Sequence, residues 1–168
     1  MIPAPFRFEA LGSQHDRAAF CCGDEALDGY FQTQATQDIR RRVANCFAVV
    51  EAATGRVAAY YTLSAASIPL VDLPADETKR LPRYPALPAV RIGRLAVDRS
   101  FQRLGLGELM LMNAVHRTMR DAAAAFALLV DAKNDRAAAF YRRYGFRAVA
   151  GSPMTLFLPL ATARKTLL

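Results

Sequence analysis

No uninterrupted apolar run in the 168 residues reaches the ~20 positions a membrane helix needs. No membrane segment is therefore expected. The opening stretch, Met1 to Arg7, lacks both the charged start and the long apolar centre of a signal peptide. The expected compartment is the cytoplasm. Cysteine is scarce, with Cys21, Cys22 and Cys46 the whole set. An odd count with an adjacent pair is not a disulfide framework. No C-x-x-C occurs, and only His15 and His116 could add imidazole ligands, so no metal is expected and the thiols read as buried and free. Lysine is scarce too: Lys79, Lys133 and Lys165 stand among 22 basic residues, the rest being arginine, against 15 acidic ones, for a net charge of +7. Two readings of that excess stay open, a surface for a polyanion and the codon bias of a GC-rich genome. With 53% hydrophobic and 22% charged residues, the composition is ordinary for a globular protein. A chain of this length can bury a sufficient core without staples, and a single domain over 1–168 is expected.

Hydrophobic periodicity sketches the elements. Phe6 to Leu11 alternates like a strand. Gly12-Ser13 breaks it, and Ser13 or Asp16 is placed to cap a short helix ending near Gly23. Asp24 is a good cap for a further helix that ends in Arg40-Arg41-Arg42. Cys46 to Glu51 and Val57 to Ser64 form a hairpin around Gly55. Five prolines between Pro69 and Pro88 predict a long ordered loop with neither regular helix nor central strand. Strand returns over Val90 to Val97, and a helix runs from the Gly105–Gly107 region to about Ala123. Phe126 to Val130 reads as a buried strand. A helix capped by Asn134 runs to Tyr144 and is closed by Gly145. Phe146 to Val149 and Thr155 to Leu160 are the last strands. The class is mixed α/β, a sheet flanked by helices.

One segment carries most of the chemical information. Val97 runs through Asp98-Arg99-Ser100-Phe101 into Gln102-Arg103-Leu104-Gly105-Leu106-Gly107-Glu108. A strand enters a turn whose glycines let the backbone approach a ligand, and a helix begins at once. Helix N-termini bind phosphate through their free N–H groups and dipole. It is not a P-loop, since no Gly-Lys-Ser/Thr follows, nor a dinucleotide fingerprint, since the third glycine is missing. A connector loop with two glycines looks the same in isolation.

The second element is Asn134, Ala137, Phe140-Tyr141 and Gly145-Phe146. Together the two segments resemble the GNAT N-acetyltransferases, whose pyrophosphate turn reads Gln/Arg-x-x-Gly-x-Gly/Ala. The N-terminal half, with His15-Asp16-Arg17, Phe20, Cys22-Gly23, Leu27-Asp28, Tyr30-Phe31, Ala35 and Gln37, is similar to the acetyltransferase toxins of toxin–antitoxin pairs. So are Ala59 to Ser64 and Arg94 to Asp98.

The resemblance implies a GNAT fold, with a mostly antiparallel central sheet. It also implies acetyl-CoA as donor, with coenzyme A as product, and transfer to the α-amino group of aminoacyl-tRNA. Antitoxins of such enzymes are small ribbon-helix-helix proteins, and the toxins often form homodimers. By the same resemblance, Leu95, Ala96 and Val97 offer backbone groups to the cofactor arm and thioester carbonyl. Gln102, Arg103, Leu104, Gly105, Leu106, Gly107 and Glu108 hold the pyrophosphate. Asn134 bonds the arm, unless it serves as a helix cap alone, and Phe140 packs along it. Tyr141 is the general acid, a phenol of pKa ~10 facing a leaving thiolate. Tyr144 is the decoy.

No general base stands out among Glu51, Asp131 and His116. An α-amine titrates at ~7.7–8.0 against ~10.4 for lysine, so water can deprotonate an aminoacyl acceptor. Arg40, Arg41 and Arg42, with Arg91, Arg94, Arg99, Arg142 and Arg143, are candidates for tRNA phosphates. An acetyltransferase for a protein N-terminus or small amine is the rival. A non-catalytic module on the same fold is the second.

Overall fold

The computed structural model describes residues 5–121 and 123–167. Residues 1–4, 122 and 168 lie outside the described residues, and with them most of the stretch tested for a signal peptide.

The elements run β1 (Phe6–Ala10), α1 (Glu25–Gly29), a π-helical turn (Tyr30–Gln34), α2 (Ala35–Arg40), β2 (Asn45–Glu51) and β3 (Val57–Pro69). A 3-10 turn (Leu70–Asp72), α3 (Ala75–Thr78), β4 (Ala86–Val97), a second 3-10 turn (Arg99–Phe101) and α4 (Leu106–Asp121) come next. The chain ends with β5 (Ala127–Asp131), α5 (Asp135–Arg143), β6 (Arg147–Val149), β7 (Ser152–Pro159) and α6 (Leu160–Thr166). The strand order is β1-β2-β3-β4-β5-β7-β6. Pairs β1–β2, β2–β3, β5–β7 and β6–β7 are antiparallel, and β4–β5 is parallel. The mixed, mostly antiparallel sheet with helices is the expected class. Two compact units divide the chain: Met1–Ser64 with Gly93–Asn113, and Ala65–Ile92 with Ala114–Leu168.

In the first unit β1 forms as expected, with Phe6 buried and Arg7 exposed, but the alternation does not continue: Phe8 and Glu9 are both half-buried and Ala10 is exposed. Val57 to Leu63 is buried at every position, as a strand covered on both faces must be. Its Tyr60 ring stacks on Phe31 at 4.3 Å, and Phe20 stands edge-on to Phe31 and Tyr60 at 5.0 and 5.4 Å. One expectation fails here and one is refined. Residues 11–24 contain no helix. The Gly12 N–H donates to His15 Nδ1 at 3.0 Å and the Ala18 N–H to Asp16 Oδ1 at 3.1 Å. Such local side-chain bonds compete with a helical ladder. The helix that Asp24 caps, with bonds from Ala26 and Leu27, runs without a break to Arg40 but widens to a π turn over Tyr30–Gln34. Arg17 Nη1 donates to the Phe31 carbonyl at 3.0 Å, and a side chain inserted into the ladder is a known cause of such a wider turn. The element stops at Arg40, and Arg42 takes a left-handed φ of 60°.

In the second unit, Ile68, Leu73, Leu87, Ala89, Leu129 and Phe157 pack one core cluster. The expected loop over 69–88 is corrected. Pro74 caps α3, where a proline's missing N–H costs nothing. Pro88 sits inside β4, just before the parallel pairing that starts at Ala89↔Ala127. Its carbonyl accepts from Phe126 N–H at 2.8 Å, so it keeps its only backbone hydrogen-bonding group in use. The β4–β5 pairing ends at Ile92↔Val130, although β4 runs on to Val97. α5 ends as expected, with Gly145 at φ 98°. α6 was not anticipated: it buries Leu160 and Ala163 at helical spacing, and Leu167 lies on the same face.

Candidate active site

The strand–turn–helix lies within the first unit. Ala96 is buried, while Leu95 and Val97 are half-buried at the end of β4. Asp98, only 4% exposed, organises the turn. Its Oδ1 accepts from Ser100 N–H at 2.9 Å and its Oδ2 from Cys21 N–H at 2.9 Å, while Arg56 Nη2 stands 3.9 Å away. Phe101 is held between the Phe6 ring at 6.0 Å and the Arg56 guanidinium at 5.0 Å. The Gln102 side-chain amide donates back to the carbonyls of Cys22 and Val97 at 3.3 and 3.2 Å. Gln102 therefore braces the turn through its side-chain amide.

Arg103 and Gly105 then adopt positive φ of 65° and 80°, one residue apart. Alternating handedness of this kind turns successive N–H groups toward one concavity. The first N–H groups of α4, from Leu106 on, have no partner within the helix. A Cβ built on Gly105 meets nothing within 4 Å, so the cradle opens onto free space, and Arg103 beside it is exposed. This arrangement fits a phosphate group. Leu104 is 54% exposed, Leu106 is buried beneath the helix start, and Glu108 is exposed in the first turn.

The second motif lies within the other unit. Asn134 caps α5, its side-chain oxygen accepting from Ala137 N–H at 2.8 Å. The cap role is thus present, and the side-chain N–H₂ remains as a donor to a ligand. Tyr141 is buried at 6% exposure. Its ring meets Phe140 and Phe146 edge-on at 5.2 and 5.3 Å, and Phe140 also meets Tyr144 at 5.2 Å. Burial raises the Tyr141 phenol well above its ordinary value. Tyr144 is the C-cap residue.

The arginines divide. Arg40, Arg41 and Arg42 are exposed, as is Arg143. Arg91 is ion-paired with Asp131, which also accepts from Thr155 Oγ1 at 2.8 Å. The Arg94 guanidinium lies 3.5 Å from the centre of the Tyr30 ring. Arg142 donates to the Pro153 carbonyl at 2.9 Å. Arg99 lies against Gly23, where an added Cβ would come within 3.2 Å of its guanidinium. Arg91, Arg94 and Arg142 each have a partner within the chain, Arg91 and Arg142 at the surface, an arrangement their positions in the sequence do not disclose. Of the candidate bases, Glu51 accepts from Thr54 in the hairpin at 2.6 Å, Asp131 is paired as above, and His116 is exposed. Asp98 and Tyr61, whose hydroxyl donates to Asn113 Oδ1, were not singled out from sequence. A buried acid after a strand was the available signal for the first. The thiols differ from expectation: Cys46 is buried, Cys22 half-buried and Cys21 exposed. Among the described residues no group of three acidic, histidine or cysteine side chains could hold a metal, and no helix is long and apolar enough to cross a membrane.

Comparison with known proteins places these features. Residues 81–155, which contain both motifs, match the acetyltransferase (GNAT) domain family. The chain is 32% identical over 156 residues to a tRNA-acetylating toxin of Mycobacterium tuberculosis, covering 92% of each. Among solved structures it is similar to AtaT complexed with acetyl-methionyl-tRNAfMet (TM-score 0.85, 27% identity, 95% of this chain and 98% of that one). It is also similar to AtaTR bound with acetyl-CoA (TM-score 0.81, 28% identity, 96% and 97%). A tyrosine-to-phenylalanine mutant of AtaT bound to the C-terminus of the antitoxin AtaR matches with a TM-score of 0.78 at 25% identity, over 96% and 97%. With full-length identity above 30% to a tRNA-acetylating toxin and both motifs in their expected elements, the chain belongs to the GNAT acetyltransferase family, among the relatives of the tRNA-acetylating toxins.

Proposed function

We propose that the whole chain acts as one acetyl-CoA-dependent N-acetyltransferase domain whose acceptor is the α-amino group of aminoacyl-tRNA, and that this blocks translation. The observation that carries the reading is the match over nearly its full length to a relative complexed with acetylated methionyl-tRNA. Bound acetyl-CoA supplies an activated acetyl thioester. The N–H groups around Arg103, Gly105 and the start of α4 hold its pyrophosphate, with Arg103 adding charge. Backbone groups of Leu95, Ala96 and Val97 orient the arm and polarise the thioester carbonyl. Asn134 donates from its amide, and Phe140 packs along the chain.

Tyr141 gives its phenolic proton to the departing thiolate as the C–S bond breaks and the C–N bond forms. The amine loses its own proton to water, and solvent returns a proton to the Tyr141 phenolate, so that the N-acetyl product, the free thiol and neutral Tyr141 result. Burial raises the phenol's pKa, which keeps it protonated at working pH, so that the proton is in place when the thiolate leaves. That AtaT was crystallised as a tyrosine-to-phenylalanine mutant supports a working tyrosine in this family. Arg40, Arg41, Arg42 and Arg143 remain available for tRNA phosphates. The antitoxin bound to AtaT supports a protein partner, for which a small ribbon-helix-helix protein is our reading, with a homodimer as the active unit in the cytoplasm.

The test is acetyl transfer from labelled acetyl-CoA to charged tRNA, beside deacylated tRNA and a peptide panel. Label confined to charged tRNA is expected. Label on peptides or free amines alone would leave the cofactor site and discard the acceptor.

A further inference from the structure

The segment between β3 and β4 carries a cluster of exposed basic and aromatic side chains that neither motif accounts for. Its base is fastened by backbone bonds, Leu70 N–H to Pro85 O at 3.0 Å and Ala150 N–H to Asp72 O at 2.8 Å. Arg147 adds a side-chain strap, bonding Asp76 at 3.0 and 3.1 Å and Glu77 at 3.3 Å. Leu73 and Leu87 are buried in the core beneath. The strap matters for charge, because it offsets one of the two negative charges of α3. Directly after α3 come Lys79-Arg80-Leu81-Pro82-Arg83-Tyr84, with Lys79, Arg80 and Arg83 exposed and Tyr84 61% exposed. Three cations and a presented aromatic ring thus occupy six consecutive residues, a reach of at most ~18 Å, on a segment held at both ends. Positive side chains beside an exposed ring are the arrangement that holds single-stranded nucleic acid, cations on phosphates and a base stacked on the ring.

We propose that Lys79, Arg80, Arg83 and Tyr84 bind unpaired nucleotides of the acceptor tRNA, with a base stacked on Tyr84. This rests on the aminoacyl-tRNA reading above. The prolines that obscure the segment in sequence hold it ordered in advance, so little freedom is lost on binding.

The experiment compares wild type with Tyr84→Ala, Tyr84→Phe and a triple Lys79, Arg80 and Arg83 to glutamine variant. It measures KM and kcat for charged tRNA, KM for acetyl-CoA, melting temperature, and the salt dependence of deacylated-tRNA binding by fluorescence anisotropy. Tyr84→Ala should raise the KM for charged tRNA by about ten-fold, and Tyr84→Phe should restore it. The triple variant should flatten the logarithmic salt slope by ~2. Acetyl-CoA KM and melting temperature should not move. Unchanged tRNA KM and affinity in Tyr84→Ala and an unchanged salt slope would overturn the proposal, and would leave the patch to a protein partner. If wild type acetylates no charged tRNA, the acceptor reading fails. The anisotropy arm then decides the patch separately: weaker tRNA binding by the variants upholds it, and equal binding ends it.

Discussion

The carboxylate of Asp98 accepts the backbone N–H of Cys21 at 2.9 Å, joining two positions 77 residues apart. The bond fastens the irregular segment after β1 to the entrance of the glycine turn, and Arg99 N–H to Cys21 O at 2.9 Å closes the same contact from the other side. Asp98→Ala removes a charged acceptor from two N–H groups in a nearly buried place. Hydrogen bonds to charged groups contribute ~1.5–3 kcal/mol each. A loss of about 3 kcal/mol in urea unfolding is expected, with a raised KM for acetyl-CoA.

Gly105 and Gly55 make a matched pair. Both hold positive φ, 80° and 74°, and a Cβ on either meets nothing within 4 Å. Alanine at each should cost the same ~1–2 kcal/mol of left-handed strain. Only Gly105→Ala should also raise the KM for acetyl-CoA, since Gly55 lies in the β2–β3 hairpin. Equal KM values for the two variants would separate the turn from the cofactor.

Tyr141→Phe keeps the ring that packs on Phe140 and Phe146 and deletes only the hydroxyl. Turnover should fall by ~10² or more with the melting temperature nearly unchanged. Tyr144→Phe should retain activity. Because burial raises the Tyr141 pKa, wild-type rates should rise with the ionisation of the acceptor amine. They should show no alkaline fall from this phenol before about pH 10.

The thiols give a pH prediction with a definite sign. Burial pushes Cys46 from 9.0 to about 12 and Cys22 to about 11. The folded state therefore holds their protons more tightly than the unfolded chain. Their contribution to stability is complete below pH 9 and is lost as pH rises toward 11 to 12. Urea midpoints across that range should fall. At neutral pH a coloured disulfide reagent should find one fast thiol, the exposed Cys21.

Charge removed from Arg40, Arg41 and Arg42 together should flatten the salt dependence of tRNA binding and leave stability alone. Arg94→Ala should do the reverse. Its guanidinium is committed to the Tyr30 ring, and the Tyr30 hydroxyl to Asp38 at 2.7 Å. A melting shift with an unaltered salt slope is the result that fits this geometry.

Local chemistry decides which parts of the fold were readable in the sequence. Asn134 and Gly145 bracket α5 because a side-chain cap and a left-handed terminator act within a few residues. The glycine turn was readable for the same reason. The 11–24 segment was not, because bonds such as those to Asp98 and within Gly12–His15 win over a helical pattern only in the folded chain. The engagement of Arg91 and Arg94 was hidden because their partners, Asp131 and Tyr30, are remote in sequence. Proline does not exclude helix or strand from this segment, because Pro74 and Pro88 sit where no N–H is required of them.

The Arg147 strap has a consequence for proteolysis. The segment it holds presents Lys79, Arg80 and Arg83 in sequence to any protease that cuts after basic residues. A protease needs an extended stretch of released backbone, and here release requires Arg147 to leave Asp76 and the Leu70–Pro85 bond to open. Trypsin cleavage at this place therefore clocks a local opening and not the unfolding of the protein. A bound nucleic acid would slow that clock.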